Sequence, residues 1–324
     1  MQRRKHLLIA LGLAATAALP ALAQGSWPAR PVTIIVPYPA GAGVDPVARL
    51  VAQKLAERWK QPVLVDNRAG ASGTIGANAV AKAAPDGHTI LMSATAEVVI
   101  NQHFMKGMAY NPETDLRPVT LAVQLPFALV AHPARPYTDI AGLLQYARQN
   151  PGKVSYASSG AGTPQHLAGV MLEQLAGVSL LHVPFKGVAL AMNDIVAGQV
   201  DIGFAGLPTA LAQVQGAKVR ALGLSSKAAS PAAPQMAPLG QHPDLAGFDL
   251  MQWFGVFLPG KTSDAITQQV QRDIADVLAM PDVRDTLQKQ GAEPSGMPTA
   301  AFDAFVRQQR ELFRKVVQAA RIEQ

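Results

Sequence analysis

The sequence predicts an α/β protein of two lobes, and three observations lead there. Short β-branched apolar runs alternate with stretches of helical periodicity, the pattern of parallel β-α-β units. The same alternation starts afresh after Pro126. The chain has 324 residues, 49% of them hydrophobic and 15% charged, which is more than one core of ordinary size holds and far from a disordered composition. The absence of cysteine excludes disulfide scaffolds, thiolate zinc sites, iron–sulfur clusters and cysteine nucleophiles.

The first residues are set apart from the fold. Met1-Gln2-Arg3-Arg4-Lys5-His6 is basic, Leu7 to Ala18 is apolar and Ala21-Leu22-Ala23 ends in small residues. This predicts a secretory leader, residues 1–23, cleaved after Ala23 to leave a periplasmic protein. A membrane anchor is the competing reading, but about a dozen apolar residues fall short of a ~20-residue span. No cysteine follows the cleavage site to carry a lipid. Loss of Arg3, Arg4 and Lys5 lowers the formal charge from +6 to about +3. The remaining chain has no basic run interleaved with aromatics, so nucleic acid is not an expected partner.

Val32-Thr33-Ile34-Ile35-Val36 predicts a first strand, followed by a helix from Pro46 to Trp59 and a second strand at Val63-Leu64-Val65. A helix from Ala77 to Ala84 ends at the turn Pro85-Asp86-Gly87, and Thr89-Ile90-Leu91-Met92 is the third strand. The second series begins with a strand from Phe127 to Ala131, a helix from Asp139 to Arg148 and a strand Val154-Ser155-Tyr156-Ala157. It continues with a helix from Pro164 to Ala176, Leu180 to Pro184, a helix from Ala189 to Ala197, and strands Val200 to Phe204 and Val219 to Leu224. Lys227 to His242, with Pro231, Pro234 and Pro238, reads as the return loop. A strand from Gln252 to Leu258 and helices from Ser263 (Ile266, Val270, Ile274, Val277) and Thr299 (Phe302, Phe305, Val306, Phe313, Val317) complete the pattern. The division expected is lobe I from residues 24–123 plus 228–324, and lobe II from residues 124–227.

Two strand-to-helix loops match. One is Pro37-Tyr38-Pro39-Ala40-Gly41-Ala42-Gly43-Val44-Asp45-Pro46, the other Ser158-Ser159-Gly160-Ala161-Gly162-Thr163-Pro164. Each offers a capping side chain, Asp45 or Thr163, and then a proline at the first helical position. Small residues let amide N–H groups at a helix start approach an anion. Either loop alone could equally be a tight turn in which glycine supplies positive φ; the pair, one per lobe, points to a cleft that holds an anion from both sides.

Enzyme motifs are missing. Gly41-Ala42-Gly43 lacks the third glycine of a dinucleotide fingerprint, and there is no Walker phosphate loop and no G-x-S-x-G elbow around any serine. His6, His88, His103, His132, His166, His182 and His242 show no compact metal-ligand spacing. His166 and His182 read as structural histidines, and Glu113/Asp115 and Asp282/Asp285 as solvated acidic pairs.

Several runs carry a resemblance. They are Pro31 to Gly41, Asp66-Asn67-Arg68-Ala69-Gly70-Ala71-Ser72-Gly73 with Ile75-Gly76-Ala77, and Ala84-Pro85-Asp86-Gly87-His88-Thr89. Later come Asn150-Pro151-Gly152-Lys153, Tyr156 to Thr163 with His166-Leu167-Ala168, His182-Val183-Pro184-Phe185-Lys186-Gly187 and Gly198-Gln199-Val200-Asp201. In this order they resemble the tripartite tricarboxylate transporter receptors, also called Bug proteins, through essentially the whole mature chain. The resemblance implies a two-lobed periplasmic binding protein fold of type II-like character, each lobe a mainly parallel sheet flanked by helices, with the ligand in the cleft between.

It also implies a monomeric, non-enzymatic receptor without metal or cofactor. Such a receptor captures a small carboxylate and delivers it to permease subunits in the membrane. Tyr38, Ala40, Gly41 and Ala42 from one lobe, and Ser158, Ser159, Gly160 and Thr163 from the other, are the implied ligand contacts. Ser72, Ser93 and Ala205 line the side that selects among ligands. This chain departs from the family pattern at Ala40, Ala42 and Ala205, and a neutral residue 205 favours a purely carboxylic or aromatic acid over an amino acid. Two other functions fit the same residues: a sensor that presents its closed form to a membrane signalling partner, and a secreted hydrolase using Ser159 with His166, which would require the two side chains to lie within about 3 Å.

Overall fold

The structure, a computed structural model, describes residues 27–41 and 43–320; the expected leader and Ala42 lie outside the described residues. β1 (Val32–Val36) pairs in parallel with β2 (Val63–Asn67) and β3 (Thr89–Ser93). The crossovers are α1 (Val44–Trp59) and α2 (Thr74–Ala81). The apolar face of α1, Val44, Val47, Ala48, Val51, Ala52 and Leu55, recurs at three- and four-residue spacing and is buried against the sheet. Removing such a face from water is what stabilises the helix on the strands.

β4 (Leu116–Ala131) is a single 16-residue strand. Beyond it come α3 (Ile140–Gln149), β5 (Ser155–Ser158), α4 (Pro164–Ala176), β6 (Leu181–Pro184), α5 (Val188–Val196), β7 (Ile202–Gly206), α6 (Leu207–Gln215) and β8 (Arg220–Leu224). The chain then returns through β9 (Met251–Pro259), α7 (Asp264–Ala279), α8 (Pro281–Lys289), the two-residue β10 (Glu293–Pro294) and α9 (Thr299–Ala320). The strand order is β2-β1-β3-β9-β4-β7-β5-β6, with β8 and β10 also pairing on β4.

Each lobe therefore has a parallel trio, β2-β1-β3 and β6-β5-β7, as the periodicity predicted, and antiparallel strands join the trios. β4 crosses the stretch where the sequence signals a break. Its first part, to Pro126, pairs with β9, and from Phe127 onward it pairs with β7. Pro126 has no N–H to give a ladder and sits where one partner strand gives way to the next. Ser225 fixes this changeover, its Oγ accepting from the Phe127 amide at 2.8 Å and its amide donating to the Phe127 carbonyl at 2.8 Å.

Two helices were not anticipated. α6 follows β7 directly behind Gly206, with no side-chain cap to announce it. α8 follows α7 after one residue and buries only Val283 and Leu287; its Asp282 is indeed exposed, and it meets Lys54 of α1 at 2.7 Å.

The registers orient the two trios. At the carboxyl end of β3, Ser93 is opposite Gly255 of β9, and Gly255 is opposite Leu121 of β4. At the carboxyl end of β7, Gly206 is opposite Phe127 of β4. Both trios thus direct their carboxyl ends at the middle of β4, from opposite sides. In open α/β sheets the crevice outside the strands' carboxyl ends is where ligands bind. α9 packs on β4 and α4 and on the π-turn Ala96–Ile100, burying Phe302, Val306, Phe313, Val316 and Val317 in a core shared by both lobes.

Candidate functional site

The lobe I loop after β1 is held by two buried carboxylates. Asp45 does not cap α1. The helix starts two residues earlier than Pro46, at Val44 behind Gly43, which places Pro46 inside its first turn, and the Asp45 side chain turns back into the loop. It accepts from the Gly41 amide at 2.8 Å, Arg49 Nε at 2.9 Å and Asn67 Nδ2 at 2.8 Å. Burial alone would raise its pKa; the bonds from Arg49, Gly41 and Asn67 outweigh that and hold it below the ordinary value. In this arrangement the Gly41 N–H, expected to face a ligand, donates to Asp45.

The second carboxylate, Glu97, was not singled out by the sequence. It is fully buried in the π-turn. Its Oε2 accepts from Tyr38 Oη at 2.7 Å, and its Oε1 accepts from the Ala94 amide at 2.9 Å and lies 2.8 Å from Ser93 Oγ. Gly73, at φ 86°, sits directly on the carboxyl group; a Cβ there would come 2.9 Å from Glu97 Cδ. The preceding Ala71 and Ser72 also have positive φ, at 45° and 51°, and Asn101 Nδ2 donates to the Ser72 carbonyl at 2.9 Å. Strain of this kind persists only where surrounding contacts over-determine it. Burial pushes the Glu97 carboxyl up to about 7, against the downward pull of the bonds from Tyr38, Ser93 and Ala94. Burial and the adjacent Glu97 raise the Tyr38 phenol well above its usual range.

The lobe II loop is held by neutral groups. Thr163 caps α4 as expected, with Pro164 at the first helical position; its Oγ1 accepts from the His166 amide at 3.5 Å and donates to the Gly160 carbonyl at 2.7 Å. The Gly162 amide donates to His166 Nδ1 at 3.0 Å, and Ser158 Oγ meets His182 Nε2 at 2.7 Å. The two imidazoles stack with centroids 3.8 Å apart beside the Tyr156 ring. Burial pulls both histidines down to about 4, repulsion from His182 adding to the effect on His166. They are therefore uncharged at neutral pH, structural histidines as the sequence indicated. Ser159 Oγ donates to Gln165 Oε1 at 3.0 Å. Ser159 and His166 each have other partners, so the nucleophile–base pair of a hydrolase is not formed.

The implied ligand residues thus fall into two groups. Tyr38, Ser72 and Ser93 gather around Glu97, with Ala40 and Gly41 exposed on the adjoining loop. Ser158, Ser159, Gly160, Thr163 and Ala205 gather at the carboxyl ends of β5 and β7. Among the described residues no hydrogen bond joins one group to the other. The groups approach through Phe104, whose ring lies against Gly162 so closely that a Cβ there would come within 2.3 Å. Three residues expected to face the ligand are buried instead. Ser93 is fully buried, and Ser158 and Ala205 are each 1% exposed. Ser158, Ser159, Gln165 and Ala205 line a small cavity of about 10 Å³, room for about one water molecule. Larger depressions lie elsewhere, one of about 580 Å³ beside β8. Among the described residues no cluster of metal-ligating side chains occurs, and no helix is long and apolar enough to cross a membrane.

The family model of the tripartite tricarboxylate transporter family receptor matches residues 47–322. The chain is 38% identical over 316 residues to a UPF0065 protein encoded in the tcbD-tcbE intergenic region of Pseudomonas sp. strain P51, covering 97% of this chain and 94% of that one. Among solved structures it resembles R. palustris Rpa4515 with adipate, at 30% identity and a TM-score of 0.84 over 92% of this chain and 99% of that one. MatC from Rhodopseudomonas palustris with bound malate is 29% identical, with a TM-score of 0.79 over 90% of this chain and 100% of the other.

Proposed function

Because the chain belongs to the tripartite tricarboxylate transporter receptor family, a family of solute-binding receptors, we propose that in the periplasm it captures a small carboxylate between its two lobes and delivers it to membrane subunits of such a transporter. The observation that carries this reading is the convergence of two parallel trios on the middle of β4, each ending in a small-residue loop before a helix. Neighbours of the same architecture hold adipate and malate, and carboxylates are the ligand class we carry over to this chain.

The ligand enters the open crevice and takes hydrogen bonds from Ser159, Gly160 and Thr163 on one side, and from Ser72 and the Tyr38–Ala42 loop on the other. Hydroxyl and amide donors satisfy a carboxylate without a lysine or arginine. Ser93 and Ser158 act one layer back, by holding Glu97 and the β5 loop in place, and Ala205 sets the depth behind Ser159. We place lobe I at residues 24–123 plus 228–324 and lobe II at residues 124–227, with closure as a rotation about the strand crossings at Pro126 and Ser225. Closure follows only if the ligand binds the closed form more tightly.

A panel of mono-, di- and tricarboxylates, aromatic acids and amino acids, tested by thermal shift and titration calorimetry after partial unfolding and refolding to strip retained ligand, decides the matter. An acid at about 100 times its Kd adds ~2.7 kcal/mol and raises the melting temperature by several degrees. A response confined to carboxylic acids is the expected outcome. An unmoved melting point across the acids, with refolding shown to be complete, would overturn the assignment.

A further inference from the structure

All three carboxyl-end segments of the lobe I trio converge on one side chain, that of Glu97. Tyr38 reaches it from the loop after β1, Gly73 rests on it from the segment after β2, and Ser93 and Ala94 hold it from the end of β3. Its carboxyl group lies buried beneath these three segments, and each of these neighbours is neutral. Among the described residues no cation pairs with it; Arg310 of α9, which packs on the turn, donates instead to the Val98 and Pro112 carbonyls. The remaining titratable groups around the turn are Tyr110, whose phenol donates to the Glu97 carbonyl, and His103. The β3 strand, the Ala71–Gly73 turn and α2 bring none.

Proton counting adds to this. Ser93 Oγ has one hydrogen and two oxygen neighbours, the Ala94 carbonyl at 2.7 Å and Glu97 Oε1 at 2.8 Å. When the hydroxyl donates to the carbonyl, the contact to Glu97 is completed by a proton on the carboxyl group. The pocket therefore accommodates both forms, the ionised one when the Ser93 hydroxyl donates to Glu97 and the acid form when it donates to the Ala94 carbonyl. An ionised Glu97 keeps the hydrogen bonds from Tyr38 and Ala94 but sets a negative charge with no paired cation beneath the proposed anion site, in surroundings that screen it poorly.

Resting on the carboxylate-binding reading above, we propose that Glu97 is a proton-linked positioning residue: capture of an anion in the crevice is coupled to uptake of a proton by the Glu97 carboxyl, which keeps Tyr38 and the Gly70–Gly73 segment in their binding arrangement. Its burial already holds the carboxyl near neutrality, so the free protein at pH 8 is mostly ionised and gains a proton when the anion arrives. Linkage then requires affinity to fall as pH rises, approaching tenfold per pH unit above about 7 where uptake nears one proton. His166 and His182 remain neutral in this range and contribute nothing to it.

The test is calorimetric titration of the mature wild-type protein with adipate and with malate at pH 6, 7 and 8, in phosphate and in Tris. These buffers differ in ionisation heat, so proton uptake appears as a buffer-dependent enthalpy without any mutation. The expected result is uptake that grows from pH 6 to pH 8 and a parallel loss of affinity, both abolished in Glu97→Gln. Binding with the same enthalpy in both buffers, or uptake that persists in Glu97→Gln, overturns the inference while leaving carboxylate capture intact. Absence of heat from either acid at every pH, with the wider acid panel equally silent, overturns the carboxylate reading and this inference with it.

Discussion

The two loops that frame the crevice share a local plan and differ in what supports them. Each leaves the carboxyl end of a parallel strand, passes through small residues and enters a helix close to a proline. Under the lobe I loop lie Asp45 and Glu97, one held ionised by Arg49 and Asn67, the other buried among neutral donors. Under the lobe II loop lie two stacked imidazoles without charge and a threonine cap. One backbone plan, a small-residue loop from a strand end into a helix, thus rests in one case on carboxylates and in the other on neutral acceptors. Loop geometry and site electrostatics are separable: the first comes from local sequence, the second from what the fold packs underneath.

The largest perturbation expected comes where the two halves meet. Gly162 has φ 74°, and a Cβ there would overlap the Phe104 ring at 2.3 Å. Gly162→Ala therefore combines left-handed strain with overpacking and should lower stability by about 2–4 kcal/mol. Chemical denaturation measures this, and the double variant Gly162→Ala/Phe104→Ala should recover the overpacking part but not the strain. Additive losses in the double variant would mean that Phe104 does not press on the lobe II loop.

On the lobe I side the expected loss is smaller. Asp45→Asn keeps the shape but presents an NH₂ to donors that need an acceptor, and it removes the charge opposite Arg49. Because the Arg49 side chain is half exposed, its ion pair adds little, and the hydrogen bonds to Gly41 and Asn67 dominate; a loss of about 2 kcal/mol is expected from denaturation midpoints. A variant as stable as wild type would show that the loop holds its shape without the carboxylate.

The contrast also has a pH signature, with opposite signs in the two lobes. His166 and His182, held near 4, lie below the ordinary histidine value of about 6.5. The unfolded chain therefore takes up protons that the folded chain refuses, and stability falls as pH drops from about 6.5 to about 4. Glu97, raised to about 7, lies above the ordinary value, so its contribution is fully present below about 4.5 and is lost as pH rises through 7. The two slopes oppose each other in the wild type. Melting curves between pH 4 and 8 should show a flattened acid limb in His166→Asn, where Oδ1 can replace Nδ1 as acceptor for Gly162, and a flattened neutral limb in Glu97→Gln. Identical profiles in all three proteins would contradict the burial assigned to these groups.

Much of the scaffold was legible because period and punctuation are local. The bounds of β1 and α4 follow directly from the sequence, the Thr163 cap sits where the pattern places it, and Asp139 and Ser263, read as helix starts, stand as the caps of theirs. Less legible was anything decided by distant packing. Pro126 reads as a break, yet β4 runs through it because the ladder changes partners there. Asp45 reads as a cap, yet it faces backwards because Arg49 and Asn67 draw it into the loop. Ser93, Ser158 and Ala205 were placed against the ligand by resemblance, whereas the sheet buries them. Glu97 left one faint trace, a lone acid among Ala96, Val98, Val99 and Ile100; that Tyr38, Gly73 and Ser93 gather on it depends on three segments distant from one another in the chain.

The smallest effect separates support from binding. Thr163 both caps α4 and donates to the Gly160 carbonyl, so Thr163→Ala should lower stability by about 1 kcal/mol. If Thr163 turns its single hydrogen from the Gly160 carbonyl to the bound anion, the same change should weaken carboxylate binding by about 1 to 2 kcal/mol. Thr163→Ser keeps the hydroxyl and should restore both within a few tenths of a kcal/mol. Denaturation reads the first loss and calorimetry the second, so each can fail alone. Stability lost with affinity intact would confine Thr163 to the scaffold and shift the lobe II contacts to Ser159 and Gly160. In lobe I the same logic applies to Tyr38→Phe, which removes the hydroxyl held by Glu97. A pure support residue there should change the pH dependence of binding more than its strength, because the carboxyl group beneath it loses a donor while the crevice keeps its shape.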